Sequence, residues 1–149
     1  MPPPVRPILT FLALIELGIG TVALFAPVWF YTQFPPGRGW LERAGLYDEH
    51  LITDVGELTL ALGVILLLAA IVFERRLVQV ALAGYLVQGV PHLVYHAIHR
   101  DNMTSADNAA SLAMLGAGVI LSAAALWLST RRRIPATSRA HRRASPELR

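Results

Sequence analysis

"LITDVGELTLALGVILLLAAIVFERRLVQVALAGYLVQGVPHLVYHAIH", residues 51–99, holds two apolar runs, Leu51 to Phe73 and Leu77 to His99, joined only by Glu74, Arg75 and Arg76. Each run comes near the ~20 residues that a helix needs to cross a hydrocarbon core. Lipid offers the backbone no water to bond with, so runs that span it must be helical. So short a link forces the two helices to lie side by side and antiparallel. The stretch therefore reads as a membrane hairpin.

Two more runs of the same kind flank it, Ile8 to Phe30 and Ala109 to Ser129. The sequence predicts an all-α fold: a four-transmembrane-helix bundle in a single domain, residues 1–130, with spans at about 8–30, 51–73, 77–99 and 109–129. A composition of 54% hydrophobic and 15% charged residues fits a membrane protein and not an ordinary soluble domain. The first span carries Glu16 and has Pro27 directly after its best small-residue site, Ala26, with Leu24 where a cleavable signal wants a small residue. It is read as a retained helix. Glycines inside the spans, among them Gly20, Gly56, Gly63 and Gly118, allow close helix approach.

Charge gives an orientation. Arg6, Arg75, Arg76, Arg131, Arg132, Arg133, Arg139, Arg142, Arg143 and Arg149 fall on one side of the expected bundle, and Arg38, Arg43 and Arg100 on the other. The positive-inside rule then places both termini in the cytoplasm. Segments 31–50 and 100–108 become outer loops, with Trp29, Phe30, Tyr31, Phe34, Trp40 and Tyr47 as an outer aromatic belt and Trp127 marking the inner one. The tail 131–149 has almost nothing to bury and is expected to be disordered. Its arginines suit anionic inner-leaflet lipid rather than nucleic acid.

The absence of cysteine excludes disulfides, thiolate metal sites and iron–sulfur clusters, and the absence of lysine excludes Schiff-base chemistry. The chemistry-bearing residues are elsewhere. His92, His96 and His99 recur at i, i+4 and i+7, and so do His50, Asp54 and Glu57. At helical spacing each set forms one stripe. By depth, Glu57 is level with His92, Asp54 with His96, and His50 with His99, although spacing does not say whether the stripes face each other. Ionisable groups cost about 2.5 to 3.5 kcal/mol each at a membrane centre, so their concentration points to shared use.

The first expectation is a metal site drawn from His92, His96, His50, Asp54, Glu57 and the peripheral His99. Imidazole and carboxylate without sulfur suit zinc, iron, manganese or cupric copper. A bis-histidine haem fits less well, because the histidines sit on adjacent helices and cannot approach opposite haem faces. A second expectation is a non-enzymatic membrane subunit whose histidine–carboxylate pairs hold helices together. A third is metal-free acid–base chemistry by Glu57, Asp54 and Glu16 on a lipid-soluble substrate. For Glu16 itself, a hydrogen bond to Ser122 or a backbone carbonyl is the structural alternative. Tyr85, Gln88 and Tyr95 are candidate supporting groups, and Pro91 is expected to kink the third span.

Finally, "FLALIELGIGTVALFAP", "YDEHLITDVGELTLALGVILLLAA" and "LAGYLVQGVPHLVYHAIH" resemble small bacterial four-helix membrane proteins of the DoxX-like type. The resemblance implies the four-span fold in the bacterial inner membrane. Through members linked to quinone or sulfur redox complexes, it also implies a quinone as a possible partner; a larger membrane complex, docked on the surface of a non-enzymatic subunit, and a homo-oligomer are the other partners expected. The histidine-rich end of the third span departs from the generic pattern, so no site residue is carried over.

Overall fold

The computed structural model of the chain describes residues 2–99 and 102–131. The expected basic tail lies, apart from Arg131, outside the described residues. Six helices follow in order: α1 Val5–Phe25, α2 Pro27–Gln33, α3 Trp40–Ala44, α4 Glu49–Val72, α5 Arg75–Ile98 and α6 Ser105–Thr130. Four of them, α1, α4, α5 and α6, are long and apolar enough to cross a membrane, as a multi-pass membrane protein requires. No strand occurs among the described residues.

Two boundaries differ from expectation for local reasons. The first span does not run on to Phe30. Proline disfavours helical geometry in the residue before it, and Ala26 accordingly leaves the helix at φ −141° and ψ 57°, with Pro27 opening α2. The fourth span begins before Ala109, because Thr104 and Asp107 form a reciprocal cap. The Asp107 amide donates to Thr104 Oγ1 at 3.1 Å, and that hydroxyl donates back to Asp107 Oδ2 at 2.8 Å. The helix α5 continues through Pro91.

The four long helices form a ring in which α1 packs most extensively along α4, and α5 along α6; α4–α5 and α1–α6 contacts close it. The α1–α4 seam is built on glycine. A Cβ placed on Gly20 would lie 2.5 Å from the Leu60 nitrogen, one on Gly56 2.7 Å from the Leu24 nitrogen, and one on Gly63 2.8 Å from the Leu17 nitrogen. Gly118 makes the corresponding room on α6 for the Tyr85 hydroxyl of α5. Lipid is as apolar as leucine, so such seams gain from close van der Waals contact rather than from escape from water.

The main buried cluster joins Leu9 and Leu12 of α1, Leu66 and Ala70 of α4, Val78 and Leu82 of α5 and Ala125 of α6. It lies toward the end of the bundle where α1 begins, α4 turns into α5 and α6 finishes. Arg6 stacks on Phe73 there, 4.5 Å from its ring centre. The Arg75 guanidinium donates to the Thr130 carbonyl, and Arg131 covers Trp127 at 3.3 Å. Glu74 caps α5 by accepting the Arg76 and Leu77 amides at 3.1 and 3.0 Å, which holds its carboxyl below the usual carboxylate range.

The opposite end is closed by the segment between α1 and α4. Phe30 stacks on Phe34 at 4.7 Å and is buried with Ala23 and Ile52. Trp40 is buried too. These two aromatics are therefore packing residues and not members of an exposed belt, whereas Trp29 and Tyr47 are exposed. The segment is tied down by charge: Arg38 bonds to Asp107 on α6, and Arg43 approaches the same carboxylate at 3.8 Å.

Candidate functional site

The two polar stripes do not meet. Residues of a helix advance by about 100° each. Glu57, Asp54 and His50 thus lie about 100° to 180° away from Gly56, Thr59 and Gly63, the α4 face applied to α1. All three are exposed. His50 Nε2 lies 3.5 Å from Asp54 Oδ2 on its own helix. Glu57 has no ion-pair partner among the described residues. The expected level pairs of Glu57 with His92, Asp54 with His96 and His50 with His99 are not formed, because the carboxylates point away from the seam on which α4 packs.

The α5 stripe is placed differently. The buried side of this helix runs through Val78 and Leu82 and on to Tyr85 and Gly89. His96 falls on the same line as Val78, five full turns on, and His92 about 40° to one side. The histidines thus continue the packing face of α5 toward its C-terminal end. Nothing covers them as the core covers Val78: every buried residue of α5 lies in its first third, and none lies beyond Leu82.

On this uncovered face His92 and His96 converge. Their Nε2 atoms are 3.1 Å apart and their rings 4.9 Å apart at 34°. Without an ion, one ring must donate and the other accept, so at least one of the facing nitrogens is unprotonated. Nδ1 of His96 is buried without a partner. His99 stands apart: its ring stacks on Tyr95 at 4.2 Å, and its Nδ1 is 3.1 Å from the Tyr95 carbonyl oxygen. Among the described residues no three histidine, aspartate or glutamate side chains come together closely enough to hold a metal ion. The six-residue ligand pool separates into two pairs on different helices, His92 with His96 and His50 with Asp54, of which the first has its two facing nitrogens closer together.

Glu16 lies deeper. It belongs to the buried stripe of α1, with Leu9, Leu12, Gly20 and Ala23, and is 7% exposed. Gln88 and Tyr85 of α5 lie near its carboxyl. Ser122, offered by the sequence as its partner, instead donates to the Val119 carbonyl at 3.0 Å. Gln88 therefore stands beside Glu16 rather than beside the histidines.

Asp107 was absent from the sequence-based pool. It combines the α6 cap with Arg38 and Arg43, and the Trp40 indole lies beside it. The signal was present as "TSAD", residues 104–107, a threonine followed three residues later by an acid ahead of an apolar run. Its chemistry is fully engaged in closing the bundle, which makes it a structural centre. Comparison of the chain with protein-family models, with curated proteins and with solved structures found no match.

Proposed function

We propose that this chain is a bacterial inner-membrane protein with both termini in the cytoplasm, whose outer half binds a divalent transition-metal ion between His92 and His96 for metal-dependent or redox-linked chemistry. The observation that carries this reading is the 3.1 Å separation of the two Nε2 atoms. Two metal–nitrogen bonds of about 2.0 to 2.1 Å at a tetrahedral angle span about 3.3 to 3.4 Å, so a shift of a few tenths of an ångström seats an ion. With two protein ligands the remaining positions fall to water or substrate, which leaves more open coordination than the single free position of a three-ligand catalytic zinc site. The all-nitrogen donor set suits zinc, iron or cupric copper.

The orientation rests on arginine: Arg6, Arg75, Arg76 and Arg131 gather at one end of the bundle. The resemblance to DoxX-like proteins agrees with the same membrane. The test is elemental analysis of the detergent-purified chain beside the His92→Ala, His96→Ala double variant. One ion per chain in the first and none in the second is the expected result. No ion in either, after reconstitution with zinc, iron, manganese and copper, overturns it.

A further inference from the structure

Of the two buried acids among the described residues, Glu16 and Asp107, only Glu16 lies in the middle of a long helix. At a rise of about 1.5 Å per residue it lies about 17 Å from one end of α1 and about 14 Å from the other, near the middle of a hydrocarbon core about 30 Å thick. Among the described residues no arginine or histidine forms an ion pair with it. The described arginines all lie near helix ends or in the outer segment. Its Oε2 is buried without a partner.

An anion in that setting would face apolar surroundings without a compensating charge. A neutral acid fits what is there. It supplies one O–H donor and one carbonyl acceptor, and a primary amide such as Gln88 offers the complementary acceptor and donor. The elements packed on α1 bring no opposing charge to this depth. The α4 face contributes Gly56, Thr59 and Gly63. The buried side of α6 contributes Gly118, Ser122 and Ala125, its one acid being Asp107 at the outer end. Tyr85 is the nearest titratable neighbour on α5. Gln88 itself is exposed, so a side chain near the carboxyl also reaches the surface that the bundle turns to lipid.

We propose that Glu16 is a proton-carrying carboxylic acid inside the membrane, reachable from the lipid past Gln88, and that it forms a site for hydrophobic carbodiimides. In that reaction the carboxyl proton passes to a carbodiimide nitrogen and the carboxyl oxygen bonds to the central carbon. The resulting O-acylisourea then rearranges to an N-acylurea; nothing leaves and no electron is transferred. This inference does not depend on a metal at His92 and His96.

The test uses the full chain in detergent micelles and in lipid vesicles, treated with dicyclohexylcarbodiimide and mapped by peptide mass spectrometry. One adduct on Glu16 is expected near neutral pH, falling about tenfold for each pH unit beyond the point at which the acid ionises. The adduct is absent from Glu16→Gln. A water-soluble carbodiimide with an amine should label Glu42 and Glu49, exposed at the end of the bundle, and spare Glu16. The wild-type map decides the matter even where the variant folds poorly. No Glu16 adduct at any pH overturns the proposal, as does labelling of Glu16 by the water-soluble reagent at the rate of Glu49.

Discussion

Adding one methyl group at Gly20 should separate the two best-packed helices of this protein. The new Cβ would stand 2.5 Å from the Leu60 nitrogen, 2.7 Å from its Cα and 2.9 Å from the Gly56 carbonyl oxygen, where ordinary contact begins at 3.4 Å. All three are backbone atoms that no rotamer change can move, so α1 and α4 must part by about 1 Å. A gap of that size forfeits roughly a quarter to a half of each contact's ~0.1 to 0.2 kcal/mol. Over several tens of contacts along the seam the loss is about 2 to 3 kcal/mol, in line with the usual cost of overpacking. Alanine recovers about 0.5 to 1 kcal/mol of helix propensity, and Gly18→Ala, where nothing lies within 4 Å, gains this without the clash. Reversible unfolding in sodium dodecyl sulfate, followed by tryptophan fluorescence, gives the comparison. Gly20→Ala should be about 2 to 3 kcal/mol less stable than Gly18→Ala; a difference under about 0.5 kcal/mol would refute the packing argument.

Other consequences follow from single contacts. Asp107→Asn removes the charge that holds Arg38 and Arg43, so hydrogen exchange in segment 31–48 should rise severalfold while the bundle core keeps its protection; an unchanged segment would show that the ion pairs do not hold it. Glu74 has a carboxyl whose affinity for protons is lowered by folding. Its contribution is therefore present above the unfolded carboxylate range and is lost as pH falls through the folded value. Wild type should exceed Glu74→Ala in melting temperature at neutral pH, with the gap closing in acid; a gap constant with pH contradicts the cap. Zinc at a hundredfold excess over its dissociation constant should stabilise the wild type by about 2.7 kcal/mol. The same stabilisation should appear in His99→Ala and be lost in the His92→Ala, His96→Ala double variant, as read by the shift in the unfolding curve.

The four long helices were legible in the sequence because lipid leaves the backbone one option and composition shows where it applies. Their ends were less so. Pro27 stops α1 and Thr104 with Asp107 starts α6, local rules written in residues that an apolar-run reading passes over. Phe30 and Trp40 illustrate a different gap, since aromatics that cover a core and aromatics that face headgroups have the same composition. At the site, spacing gave both stripes but not their directions. The close approach of Gly56 and Gly63 to α1 turned His50, Asp54 and Glu57 outward. The direction of α5 was set by Val78 and Leu82 below the histidines. The nearness of Gln88 to Glu16 depends on which helices oppose one another across the ring, which no single helix encodes.

The central claim is that His92 and His96 together grip one ion. Electron paramagnetic resonance of the purified protein with one equivalent of cupric ion tests it most directly, because nitrogen couplings count the imidazoles bound. The account predicts coupling to two imidazole nitrogens in the wild type, in His50→Ala and in His99→Ala, and its loss in both His92→Ala and His96→Ala. The same two-nitrogen spectrum in the His92→Ala, His96→Ala double variant, or no bound copper in the wild type, would contradict it.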